Sequence, residues 1–216
     1  MAERKRRREI KERILDEACR IFAEKGYRDA THAEICRAAN TNIAAINYYF
    51  DSKETLYREA FEQLEALSEE RYPLDGALQP EAKPEERLNA FIHAFLARVL
   101  DAQLGYLHCI RMAERFAPTG LLHDNFERCL ARDRSHILSI LREFLGDGAA
   151  ERDILWCEMS VVGQCFIGLH EAKGDGPRAI FGIEPGDIDV LTEHILEFSL
   201  GGIRAMQSRL SHAANR

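Results

Sequence analysis

Apolar residues recur along this chain at intervals of three and four, the spacing that lines one face of an α-helix. Ile10, Ile14, Ala18, Ile21 and Phe22 form one such stripe, ending at Gly26, a residue suited to the left-handed turn that closes a helix. Leu56, Tyr57, Ala60, Phe61, Leu64 and Leu67 form another that runs to Pro73. Pro73, Pro80 and Pro84, with Gly76 among them, predict a linker at about 73–84, with a domain boundary near it. Beyond it Leu88, Phe91, Ile92, Phe95, Leu96 and Val99 predict an amphipathic helix, and a further one is expected over about 106–117, stopping at Pro118. Phe126, Leu130, Ile137, Leu141 and Phe144 mark a long helix that ends at Gly146-Asp147-Gly148. The stretch 152–171 reads as a buried helix. Within it Ile154 to Leu169 is interrupted only by Glu158 and falls short of the roughly twenty residues that cross a bilayer. A loop rich in glycine and proline follows, with Gly174, Gly176, Pro177, Gly182, Pro185 and Gly186. A last helix at about 187–207 spaces Leu191, Ile195, Phe198, Gly202 and Ala205 by four and three, a coiled-coil-like seam. No stretch shows the alternation of a β-strand and no repeat is present, so the expected fold is all-α.

One segment departs from this bland pattern. Thr31 with Glu34 predicts a capping box, in which hydroxyl and carboxylate each satisfy an orphan backbone N–H, so a helix should start there. Ala33, Ile35, Ala38 and Ala39 let it pack closely, and Asn40 can adopt the left-handed conformation that ends it. Thr41 or Asn42 can cap a second helix over 43–50, and Asp51 or Ser52 a third, with Glu54 completing a box from Asp51. Two short helices joined by a tight turn, then a third, is the layout of a helix-turn-helix reader of DNA. The second helix bears short side chains, Asn42, Ala44, Ala45 and Asn47, which let it sink into a major groove. Asparagine can pair with adenine, alanine can touch a thymine methyl, and the hydroxyls of Tyr48 and Tyr49 can reach phosphates. Phe50 reads as core. Lys53 stands at a helix start, where backbone N–H groups also favour a phosphate.

The residues from Ile14 to Tyr57, ILDEACRIFAEKGYRDATHAEICRAANTNIAAINYYFDSKETLY, resemble the N-terminal domain of the TetR family of bacterial transcriptional repressors. Two positions depart from the family pattern: Asn40 stands where glycine is usual, and Asn47 where tyrosine is usual. Asn47 should therefore alter operator preference. AAINYYF and VVGQCF, with APTG between them, also resemble a branch of the family with a CerR-type C-terminal region. The resemblance implies an N-terminal three-helix DNA-binding domain, assigned to 1–52, followed by a helical ligand-binding and dimerisation domain, 53–216. It implies a homodimer joined through the last two long helices, and a small-molecule effector that releases a palindromic operator. It also implies a bacterial, cytoplasmic protein.

Composition agrees with that reading. The chain has 216 residues, 46% of them hydrophobic, enough for a sizeable core. The net charge of −7 is unevenly spread: residues 1–58 carry 13 Lys and Arg against 10 Asp and Glu, and the rest 16 against 26. Arg4, Lys5, Arg6, Arg7, Arg8, Lys11 and Arg13 crowd the N-terminus, where they can neutralise phosphates, read as a solvated tail, or read as a localisation signal. Arg8 is taken as the DNA contact among them. No apolar stretch follows these charges, so a signal peptide is not expected. The six cysteines at 19, 36, 109, 129, 157 and 165 show no paired spacing, and reduced, mostly buried thiols are expected.

Candidate effector contacts are Phe95, His108, Arg111, Trp156, Gln164, Phe166 and His170, with ordinary packing as the competing reading for each. Arg111 or Arg115 could receive an acidic ligand. A helix apolar on most faces beside a helix with a seam suggests a four-helix dimer interface, in which Val161, Cys165, Leu191, Ile195, Phe198 and Gly202 are the named positions. A metal-responsive repressor is the alternative, using His108, Cys109, His123, Cys129 and His136, although their spacing matches no closed zinc site. An interaction module that never touches DNA is a further one. No HExxH, nucleophile elbow or glycine-rich phosphate loop is present, and neither an enzyme nor a cofactor is expected.

Overall fold

The computed structural model describes residues 1–79, 81–166 and 185–214. Among them the chain forms nine α-helices and no strand: α1 (Ala2–Asp29), α2 (His32–Ala38), α3 (Ile43–Phe50), α4 (Lys53–Arg71), α5 (Pro84–Leu100), α6 (Gly105–Phe116), α7 (His123–Leu145), α8 (Glu151–Cys165) and α9 (Ile188–Ala214). A 3-10 turn, Pro185–Asp187, precedes α9. Gly26 interrupts α1 with φ 77°, a conformation that costs glycine little, so the regular helix ends where expected and one more turn carries the chain to Asp29. The loop glycines from 174 to 182 and His170 lie outside the described residues.

The helices pack as two compact units. The first comprises Met1–Ser68 and Ala102–Glu127, the second Glu69–Asp101 and Arg128–Arg216. This grouping by packing differs from a division at 52/53 or at the 73–84 linker, because α6 folds back onto α1. The unit boundaries therefore fall inside α4 and α7.

In the first unit the α1 stripe is buried from Ile14 on, with Ile14, Ala18, Ile21 and Phe22 all at most 4% exposed, while Ile10 at its start is half-buried. Phe22 meets Tyr57 of α4 edge to face at 4.8 Å, and Ile35, Ile46, Phe50, Leu56, Phe61, Leu107 and Ile110 are buried too. Polar groups are buried alongside them. Glu114 of α6 accepts from the Tyr57 hydroxyl at 2.8 Å, and from both the backbone N–H and the hydroxyl of Thr119 at 3.0 and 2.8 Å. Burial, then this carboxylate, pushes the Tyr57 hydroxyl well above the usual phenol range. Arg111 donates to Glu65 at 2.7 Å. Hydrogen bonds to a charged partner are worth about 1.5–3 kcal/mol each, so these ties fix α6 against α4 more firmly than its short apolar face would alone.

The second unit has an apolar core of Leu88, Phe91, Ile92 and Leu96 from α5, Ile137 and Leu141 from α7, Ile154, Cys157, Val161 and Cys165 from α8, and Ile195 and Ile203 from α9. Arg98, 7% exposed, holds the end of α4 to α5 by donating to the Tyr72 carbonyl at 2.8 Å and to Glu69 at 2.6 Å. The expectation of a helix buried on nearly every face does not hold for α8 in one chain, where Leu155, Trp156 and Met159 are 38%, 52% and 67% exposed. Its charged Arg152 stacks on Trp156, and Glu158 forms a bidentate pair with Arg134 of α7 at 2.5 Å, so one face is core and the other is free.

Candidate nucleic-acid interface

The helix-turn-helix is built by local capping, and the caps are legible atom by atom. Thr31 Oγ1 accepts from the Glu34 N–H at 3.3 Å while the Glu34 carboxylate accepts from the Thr31 N–H at 3.2 Å. Lys25 pairs with the same carboxylate, and the lysine, then Thr31, holds it below its ordinary range. Asn40 adopts φ 47°, the left-handed conformation expected of it, and the Thr41 N–H reaches back to the Cys36 carbonyl at 2.9 Å. Asn42 caps α3, its Oδ1 accepting from the Ala45 N–H at 3.0 Å. At the third start one of the two expected caps forms and the expected Asp51–Glu54 box does not. Asp51 takes φ 58° and ends α3, so Ser52 caps α4 by accepting from the Thr55 N–H at 3.1 Å. Glu54, free of a box with Asp51, accepts instead from the Tyr27 hydroxyl at 2.8 Å.

Ile46 and Phe50 anchor α3 in the core, and this sets what the other face can do. Asn42, Ile43, Ala44, Asn47 and Tyr48 are exposed on it, with Ala45 and Tyr49 half-buried at its margins. Lys53 is held in place by the Tyr27 ring, 4.6 Å from its ammonium, and by donation to the Arg28 carbonyl at 3.3 Å. Thr31 is exposed but its hydroxyl serves the cap, and Thr41 is half-buried in the turn. Arg8 is exposed and pairs with Glu12 at 2.7 Å. Its neighbour Arg7, one of the N-terminal cations but not the one taken as the DNA contact, touches α3 by donating to the Tyr48 hydroxyl at 3.3 Å. Counting back by three and four from Ile14 through Lys11 would have found it.

The effector candidates are divided between the units. Phe95 and Phe166 meet edge to face at 5.4 Å in the second unit, with Phe91 6.0 Å from Phe95. Gln164 donates to Ser199 of α9 at 3.1 Å, and Trp156 lies on the free face of α8. His108 and Arg111 sit on α6 in the first unit, Arg111 already ion-paired with Glu65. Of the positions named for a dimer seam, Val161, Cys165 and Ile195 point into the protomer's own core, Leu191 is half-buried, and Phe198 and Gly202 face outward. The physical reason is that α9 needs one apolar edge for α5 and α8, so the seam positions are shared between the inside and the free face.

The six cysteines are free, five of them buried and Cys109 partly so. Burial pushes the Cys19 and Cys165 thiols up to about 12, far from the thiolate form that reacts or binds metal. Among the described residues no three His, Cys, Asp or Glu side chains gather as a metal site, and no helix is long and apolar enough to cross a membrane.

Comparison with known proteins bears on both halves. A model of bacterial regulatory proteins of the tetR family matches residues 14–60, and a model of the C-terminal domain of the HTH-type transcriptional dual regulator CecR matches residues 84–203. The HTH-type transcriptional regulator SrpR of Pseudomonas putida is 27% identical over 141 residues, 65% of this chain and 63% of SrpR. IcaR of Staphylococcus epidermidis, a negative regulator of a biofilm operon, is 32% identical over 78 residues, 32% of this chain and 42% of IcaR. The chain thus matches less than two thirds of the length of either relative. In fold it is similar to AibR, solved in complex with isovaleryl coenzyme A and operator DNA, with a TM-score of 0.67 at 17% identity over 88% of this chain and 97% of that one.

Proposed function

We infer that this chain, which belongs to the TetR family of bacterial transcriptional regulators, represses transcription by docking α3 in the major groove of a palindromic operator as a homodimer, and that a small molecule releases it. The observation that carries the reading is the division of α3: Ile46 and Phe50 lock the helix into its domain, leaving Asn42, Ala44 and Asn47 exposed on a face of short side chains whose one side-chain tie among the described residues is the Asn42 cap. We assign residues 1–52 as the reading domain. Asn47 is the base-reading residue, with Ala44 and Ala45 as close-approach positions. Tyr48, Tyr49, Thr31, Thr41, Arg8 and Lys53 serve the phosphates.

The exposed faces of α8 and α9, with Leu155, Met159 and Phe198, supply the dimer contact, and pairing two readers explains recognition of a palindrome. The effector is placed beside Phe95 and Phe166. It acts by binding the released conformation better than the DNA-bound one, with α4, one unbroken helix from Lys53 to Arg71, carrying the change. Support for a ligand comes from AibR, a protein of this fold with both a coenzyme A ester and operator DNA, and support for repression comes from IcaR.

Selection of bound sequences from a random duplex pool tests the reading. It should return a palindrome whose half-sites lie about one helical turn, or a multiple of it, apart. Recovery of single, unpaired half-sites, or of no preferred sequence, would overturn the dimeric repressor. The selected duplex then serves to screen small molecules for release.

A further inference from the structure

We propose that the first thirteen residues, which precede the family match at residue 14, form a helical brace that binds the DNA flanking the site read by α3. The proposal rests on the DNA-binding reading of α3.

The extension is not a loose tail: α1 is helical from Ala2. Arg4, Arg7, Arg8 and Lys11 stand at spacings of three, four and seven, so they share one face. That face is turned toward α3 at two points. Arg7 donates to the Tyr48 hydroxyl at 3.3 Å, and the Lys11 ammonium lies 5.2 Å from the centre of the Phe50 ring while pairing with Glu59 at 2.7 Å. Glu3 grips Arg7 from the other side at 2.8 Å. Beyond Arg7 the helix runs on for about 7.5 Å to Ala2 at 1.5 Å per residue, with exposed Arg4 nearly one turn from Arg7.

The electrostatics suit a phosphate backbone. Arg4 makes no ion pair among the described residues, and Arg8 is bound to Glu12 at a side chain 81% exposed, a pairing in water that a phosphate can displace at little cost. Tyr48, 66% exposed, accepts from Arg7 and so keeps its own O–H to donate to a phosphate, which makes Arg7 a positioning residue for Tyr48. An anionic membrane is the other surface a basic helix can bind, but that mode needs an apolar face, and Ile10 is the one large apolar residue between Ala2 and Arg13.

The test uses the 216-residue chain and a duplex it selects, offered with and without about one helical turn of flanking sequence. The triple change Arg4→Gln, Arg7→Gln, Arg8→Gln should leave the helical circular dichroism intact and retain the selected core sequence. The slope of log affinity against log salt should flatten by about 0.9 for each phosphate no longer neutralised, thus by two or more for the dimer. Trimming the flanks should weaken the parent and leave the triple variant unchanged, and lysine at the same three positions should restore the slope. Arg7→Gln and Tyr48→Phe should together lose less than the sum of their separate losses. A triple variant with the parent's slope and affinity, or one equally harmed by trimming, overturns the brace and leaves the α3 reading standing. A parent that prefers no duplex overturns both.

Discussion

The two units differ more in what they leave to solvent than in what they bury. Both hide charge and hydroxyl groups, with Tyr57 on Glu114 and Arg111 on Glu65 in the first, and Arg98 on Glu69 in the second. The first shows, along α3 and the start of α1, a face of asparagine, alanine, tyrosine and arginine, whereas the second shows Trp156, Met159, Val190 and Phe198 on α8 and α9, each more than half exposed. A polar face can rest in water until a polyanion displaces that water, whereas a cluster of exposed apolar side chains marks a surface meant for protein. The contrast matches the two roles proposed for these faces, DNA at α3 and self-association at α8 and α9.

The largest test of that contrast is a matched pair of core truncations. Ile46→Ala in the first unit and Ile92→Ala in the second should each cost about 2–5 kcal/mol. Ile46→Ala should abolish duplex binding while the fluorescence of Trp156, the sole tryptophan, keeps its folded value; Ile92→Ala should lower the unfolding midpoint read by Trp156. Identical transitions by both readouts in both variants would show that the units melt as one. Phe198→Arg comes next. At a buried self-association face it should weaken the dimer by about 2 kcal/mol or more in sedimentation equilibrium, leaving protomer stability unchanged, and an unaltered mass would remove α9 from the interface.

Asn47→Ala should shift sequence preference at a cost of about 1–3 kcal/mol, seen when selection is repeated with the variant. Lys53→Ala should weaken all sequences alike and flatten the salt slope by about one for each phosphate that the lysine had neutralised. The smallest effect is acid sensitivity. Glu34 titrates below its ordinary value because of Lys25 and the Thr31 cap, so its contribution is full above about pH 4.5, the unfolded value, and is lost as the pH falls through the lower folded one. Glu34→Gln should flatten the dependence of the midpoint on pH in that window and nowhere above it.

Much of the reader is legible in the chain because its determinants are local. The Thr31 box, the Asn42 cap and the left-handed Asn40 each act within a few residues, and all three can be read from residue types and spacing. Asp51 against Ser52 as the third cap cannot, since the choice depends on how α3 ends, with φ 58° at Asp51. The N-terminal helix is visible as charge but not as geometry, because a basic run reads equally as tail or helix until Arg7 meets Tyr48, 41 residues away. Gathering the effector candidates fails for the same reason: no spacing tells that Arg111 belongs with Glu65 and Phe95 with Phe166.

The all-helical pattern, the Thr31 and Asn42 caps of the helix-turn-helix and the family resemblance are all written along the chain, because hydrophobic period and capping chemistry operate within one or two turns. It took packing between distant segments to set Glu114 of α6 on Tyr57 in the first unit, to turn Val161, Cys165 and Ile195 inward and Phe198 out, and to bring Arg7 onto Tyr48 of α3. Those outcomes depend on which faces compete for the same buried space, and that competition is settled between residues far apart in the chain.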